Sequence, residues 1–141
     1  MTDKVFIDTN ILVYAFLDAD NSDAHIKHTK ASKLLQSLID TCPIILSTQV
    51  LGEYYNALLK HKITDKDIQD SIKELVRAVD VSSVSQSTVF IAFQIKSRYR
   101  YSYWDSLIIA SALENSCNHL FSENLQNGQV IENTLTITNP F

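Results

Sequence analysis

Apolar residues in this chain alternate between short compact runs and longer helical stripes. Val5-Phe6-Ile7 is a compact run bounded by polar residues, which suits a buried parallel strand ending at Asp8. A helical stretch over Ile11 to Leu17 follows, and the polar segment Asp18 to Asp23 interrupts it. Ser22 or Asp23 can then cap a helix whose apolar face is Ile26, Leu34, Leu35, Leu38 and Ile39. Pro43-Ile44-Ile45-Leu46 reads as a second strand. Ser47 or Thr48 caps the next helix, where Val50, Leu51, Tyr54, Leu58 and Leu59 recur at helical spacing.

Thr64 precedes the cleanest stripe, Ile68, Ile72, Leu75, Val76 and Val79, and a weak strand is expected near Val81. Val89, Ala92, Phe93 and Lys96 predict a further helix. Trp104 to Asn115 is apolar on most faces, as a helix buried against a sheet would be. His119 to Ser122 and Leu135 to Ile137 are short closing strands. Strands alternating with helices require crossover connections, so the expected fold is α/β, a three-layer α/β/α sandwich with a mostly parallel sheet. No repeat, linker or low-complexity stretch divides the 141 residues, which predicts one domain.

Composition narrows the function. Twelve basic against 16 acidic side chains leave a net charge of −4, so broad electrostatic attraction to nucleic acid is excluded and any such attraction must be local. The only glycines are Gly52 and Gly128, so neither a P-loop nor a GxGxxG turn can be written. Cys42 and Cys117 stand in no ligand spacing, which points to free thiols in a reducing cytoplasm. The start, Met1-Thr2-Asp3-Lys4, predicts no secretory leader, and no apolar run is long enough to span a bilayer.

In open α/β sheets ligands bind beyond the carboxyl ends of the strands. Asp8 follows the first strand, Glu53 lies early in the helix after the second, Asp105 opens the buried helix, and Glu123-Asn124 follows the strand His119 to Ser122. A lone aspartate after a strand is ordinarily a turn or cap residue. Jointly these acids carry more weight, because Asp8 and Asp105 adjoin apolar runs where unpaired charge is expensive. A like-charged pair at about 4 Å costs roughly 4 kcal/mol at an effective dielectric near 20. No lysine or arginine stands at these strand ends, so a divalent cation is the expected remedy, and all-oxygen ligands favour Mg²⁺ or Mn²⁺. Such an ion activates water and stabilises the charge of an in-line phosphodiester displacement.

The segments Phe6-Ile7-Asp8-Thr9-Asn10-Ile11-Leu12, Ser47 to Glu53, Tyr103 to Ala112 and Leu120 to Gln126 resemble, in that order, the PIN domain nucleases, and within them the VapC-type toxins of toxin–antitoxin pairs. The resemblance implies Mg²⁺- or Mn²⁺-dependent cleavage of RNA to 5′-phosphate and 3′-hydroxyl ends, and a homodimer. It also implies an antitoxin that shields the site, often with a basic side chain. Asp8, Glu53 and Asp105 match the family's metal-binding acids, while Asn10 and Ser122, with Thr9 between the first acid and Asn10, fall at site-orienting positions. Where the family usually has a fourth acid this chain has Asn124, which brings an amide oxygen without charge. Metal affinity is then expected to fall unless Glu123 substitutes.

Arg98, Arg100 and Tyr101, within a basic and aromatic run ending at Trp104, are candidate RNA contacts. The alternative is a solvated helix end with Tyr103 and Trp104 in the core or a dimer contact. His25 and His28 share a helix face but lack a third ligand, and His61 and His119 carry less signal. Lys60, His61 and Lys62 read as a dipole-favoured helix terminus rather than an RNA groove. Two competing functions remain: a PIN-like module that binds RNA or protein without cutting, and a phosphatase using Asp8 as nucleophile. The second is weakened because Asp8-Thr9-Asn10 lacks the second carboxylate and no matching lysine is evident.

Overall fold

A computed structural model describes residues 3–18 and 21–141. Six strands form one sheet in the order β3-β2-β1-β4-β6-β5: β1 (Val5–Ile7), β2 (Ile44–Ser47), β3 (Asp80–Ser82), β4 (His119–Phe121), β5 (Val130–Ile131) and β6 (Leu135–Thr138). All neighbouring pairs are parallel except β5 with β6. The expected α/β architecture with a mostly parallel sheet is therefore the observed one. β1 and β2 are buried along their whole length, as strands covered on both faces must be. Each of Phe6, Ile7, Leu46 and Leu120 is fully enclosed, which contributes about 1.5–3 kcal/mol per side chain.

The helices are α1 (Thr9–Phe16), α2 (Ser22–Thr41), α3 (Thr48–Lys60), α4 (Asp65–Ala78), α5 (Gln86–Tyr99) and α6 (Tyr103–Glu114). The chain steps from β1 to β2 to β3 in one direction and then returns across the sheet to β4. Right-handed crossovers consequently put α1 to α4 on one face and α5 with α6 on the other. The packing agrees, with α1 against α2 and α3, α3 against α4, and α5 against α6. Ser106 through Ala112 of α6 are all buried, because α5 covers one side of that helix and the sheet the other. This is why its sequence lacks an amphipathic stripe.

Several expectations need correction. The first helix begins at Thr9, two residues earlier than the apolar run suggested, because Asp8 caps it. The second is capped by Asn21, whose side chain accepts from the Ala24 amide at 2.8 Å, not by Ser22 or Asp23. Residues 19 and 20 of the interrupting polar segment lie outside the described residues. Ile26 and Ile39 are exposed. The inner stripe of α2 is instead Ala31, Leu34, Leu35 and Leu38. Leu59, Val76 and Phe93 also face outward.

Strand β5 was not anticipated. Glu132 and Asn133 both adopt positive φ, and the Thr134 amide donates to the Ile131 carbonyl at 3.1 Å, a tight hairpin turn made without the glycine that usually announces one.

Candidate metal and phosphodiester site

The strand order reverses between β1 and β4, so the crevice at their carboxyl ends is where an open α/β sheet binds ligands. Asp8 emerges from β1 and Ser122 from β4, and the Asp8 amide donates to the Phe121 carbonyl at 3.0 Å. The Ser122 hydroxyl donates to Asp8 Oδ2 at 2.8 Å, and the Thr9 amide donates to Asp8 Oδ1 at 2.7 Å. Ser122 Oγ in turn accepts from the Asn124 amide at 3.2 Å. Asp8 is thus a helix cap as well as a candidate acid, and both of its oxygens have fixed directions.

Asp8 is only 7% exposed, and its carboxyl is pushed up from 3.8 to about 6. Burial is the main cause and the negative charges of Glu53 and Asp105 add to it, while the bonds from Ser122 and Thr9 oppose the rise. Glu53, in the second turn of α3, is oriented from two sides. Thr9 Oγ1 donates to its Oε1 at 2.8 Å, and Gln49 Nε2 donates to its Oε2 at 3.2 Å. The same Gln49 amide reaches the Trp104 carbonyl at 3.1 Å, tying α3 to the first turn of α6 where Asp105 lies. Sequence reasoning missed Gln49 as a positioning residue. Its place one turn before Glu53 on the same helix face was the available signal.

Asp8, Glu53, Asp105, Asn10, Thr9 and Asn124 line a single cleft of about 290 Å³. Six residues from four parts of the chain meet there. Glu123 does not join them, because it forms an ion pair with Lys27 of α2. It cannot substitute for the acid missing at Asn124 without breaking that pair. Asn56 and Lys60 of α3 line the cleft too, and neither was expected. Lys60 stands in the last turn of α3, as its reading as a helix-end charge has it, and it also lines the cleft that the acids share.

Arg98, Arg100 and Tyr101 do not line the cleft. Arg98 pairs with Glu132, while the Tyr101 hydroxyl donates to Gln129 and accepts from the Gln126 amide. Trp104 is 63% exposed, so it is not a core residue. It ends a row of neighbouring rings, Phe90, Phe93, Tyr103 and Trp104, along α5 and α6. His25 bonds to Asp18 and His28 to the Tyr14 carbonyl. Cys42 and Cys117 are free, as expected.

The donor set of the cleft is all oxygen, which suits a hard divalent cation such as Mg²⁺ or Mn²⁺. Among the described residues no three acidic, imidazole or thiol side chains stand close enough to grip one ion as they are. The carboxylates line a common space without converging on one point, those of Asp8 and Glu53 each held by their own hydrogen-bond donors.

Residues 5–126 match the family model described as PIN domain, which spans most of the chain. The chain belongs to the PIN domain family. No curated protein matches its sequence. Solved structures of similar fold include VapC20 of Mycobacterium tuberculosis, described as a sarcin–ricin loop cleaving toxin. It is 20% identical, with 82% of this chain and 86% of that chain covered and a TM-score of 0.67. A chain of a toxin–antitoxin complex from Klebsiella pneumoniae is 17% identical over 97% of this chain and 98% of that one, at a TM-score of 0.70. A chain of VapBC2 from Rickettsia felis, bound to a promoter DNA fragment, is 20% identical over 96% and 98%, also at 0.70. At these identities the likeness is one of fold, and this PIN domain shares it with VapC-type toxins. No helix among the described residues is long and apolar enough to cross a membrane.

Proposed function

We propose that this PIN domain is a Mg²⁺- or Mn²⁺-dependent endoribonuclease and the toxin of a toxin–antitoxin pair. The observation that carries the reading is Asp8. It is a buried carboxylate at the sheet's switch point, sharing one cleft with Glu53 and Asp105 and electrostatically burdened by both. A charge kept in such a place without an ion pair is costly for the fold and is explained by ligand chemistry. Asp8, Glu53 and Asp105, with the Asn124 amide oxygen beside them, would hold the cation. When bound, that cation supplies an activated water and neutralises charge on the phosphodiester.

The chain's own residues do the rest. Ser122 and the Thr9 amide aim the two oxygens of Asp8, while Thr9 Oγ1 and Gln49 aim those of Glu53. Such outer partners fix ligand orientation and typically account for 10–100-fold in activity or metal affinity. α6 carries Asp105 on a helix buried along its next seven residues, so that this acid moves little. The toxin–antitoxin complexes among the structural neighbours support an antitoxin partner, whose basic side chain would answer the same negative cleft.

The test is incubation of the purified protein with structured RNA and Mn²⁺ beside Asp8→Asn. Cleavage by the wild type alone supports the nuclease. A PIN module that binds without cutting is the second reading, favoured by Asn124 at the usual fourth-acid position and by the open spacing of the acids. Cleavage by neither protein, with RNA still bound, would establish it.

Asn124 also makes a graded prediction. Asn124→Asp adds a full negative charge at the cleft, and even in bulk water a unit charge several ångströms from a dication gains about 1 kcal/mol or more. Mn²⁺ affinity, read by calorimetry, is therefore expected to tighten about tenfold. Unchanged affinity would remove Asn124 from the metal site.

A further inference from the structure

Lys60 is the one cationic side chain that lines the acidic cleft among the described residues, and it forms no ion pair there. Glu53, Asn56, Ala57 and Lys60 follow one another at i, i+3, i+4 and i+7 on α3, a single stripe facing the cleft. Helical side chains lean toward the helix N-terminus, which lets the Lys60 stem run back over Ala57 toward Glu53. Ala57 is too small to obstruct it. Two turns separate Lys60 from Glu53, roughly 10 Å along the axis at 1.5 Å per residue, and the flexible four-carbon stem covers much of that distance.

A cation beside carboxylates would be expected to close an ion pair with one of them. Here Glu53 is held by Thr9 and Gln49 and Asp8 by Ser122 and the Thr9 amide, and Lys60 pairs with neither of them nor with Asp105. A positive charge in this cleft would oppose a metal ion, and Lys60 gains no ion-pair partner within the described residues in return. A group that lowers affinity for one ligand of a cleft is accounted for if it contacts a second ligand of opposite charge. A polynucleotide backbone is such a ligand, and lysine meets phosphate as a point charge. Asn56, exposed on the same stripe, offers an amide donor one turn closer to the acids.

We propose that Lys60 and Asn56 form a backbone-phosphate subsite, placing a phosphate of the RNA strand beside the acidic cluster; this rests on the nuclease reading above. The net charge of −4 gives the subsite a larger share of the attraction than it would have on a basic protein. The subsite acts by positioning the strand and touches no proton in the reaction.

The experiment measures binding of a short fluorescent single-stranded RNA to Asp8→Asn, with and without Lys60→Met, across a salt series. Lys60→Met is expected to weaken binding about 3- to 10-fold and to reduce the slope of log affinity against log salt by about 0.7, one counter-ion's worth for a single strand. Lys60→Arg in the same background should restore the slope, and Asn56→Ala should weaken binding without changing it. RNA binding with an unaltered slope overturns the subsite and leaves the nuclease reading standing, whereas no RNA binding by either protein overturns both. Mn²⁺ affinity is measured in parallel on otherwise wild-type protein. Tighter Mn²⁺ binding in Lys60→Met together with unchanged RNA binding would make Lys60 only a counter-charge to the acids, which also overturns the proposal.

Discussion

Asp8→Asn is expected to yield a protein that is more stable than the wild type in metal-free buffer at neutral pH, and inactive. Removing an outer partner of a metal ligand costs 10–100-fold, so removing the central ligand itself should lower RNA cleavage by more than about 100-fold. The gain in stability has a separate cause. Burial and the charges of Glu53 and Asp105 raise the Asp8 carboxyl from 3.8 to about 6, a shift worth roughly 3 kcal/mol at about 1.4 kcal/mol per unit. Imperfect replacement of the Ser122 hydrogen bond offsets part of it, leaving about 1–3 kcal/mol. At this chain length that corresponds to a Tm increase of roughly 3–10 °C.

The pH dependence gives the sign a second check. The folded chain binds this proton more tightly than the unfolded chain does, so wild-type stability falls through Asp8 as pH climbs from 3.8 to about 6. Above that the cost is complete. The stability difference between Asp8→Asn and wild type should therefore open over that window and then stay constant. Saturating Mn²⁺ should narrow it, because the cation stabilises only the protein that binds it. A variant less stable than wild type at pH 7 without metal would contradict the claim that the cleft stores electrostatic strain.

Ser122→Ala is the second large effect. Its hydroxyl is fully buried, donates to Asp8 Oδ2 and accepts the Asn124 amide. Loss of that bond removes the strongest influence holding the Asp8 carboxyl down, so its proton affinity climbs further. Cleavage should fall 10–100-fold at neutral pH and recover in part as pH rises. Stability should drop by about 1–3 kcal/mol through the stranded partners. A purely structural serine would show the same stability loss with an unshifted pH–activity profile, which kcat/KM measured across pH would reveal.

The sequence was most legible where one physical rule acted without competition. Val5-Phe6-Ile7 read as a strand buried on both faces and the run after Asp105 as a helix buried against the sheet, and both are so. Asp8, Glu53 and Asp105 were recognisable because each adjoins the end of a strand or the start of a helix in a parallel α/β order. Where two rules compete, sequence reading faltered. Ile26 and Ile39 carry apolar side chains yet lie off the stripe that Ala31, Leu34 and Leu38 define. The turn at Glu132-Asn133 uses the left-handed region without a glycine to mark it.

The sequence by itself determined the alternation of strands and helices, the exclusion of glycine-rich phosphate loops, and the identity of the acids at the strand ends. Those follow from local periodicity and composition, which are properties of neighbouring residues. Only the tertiary structure decided which charges share a space. Lys27 of α2 draws Glu123 away from the cleft across 96 positions of sequence, Gln49 joins α3 to α6, and the turn of α3 brings Lys60 into the same cleft as Glu53. Electrostatic energy depends on separation in space, and chain distance carries almost no information about it.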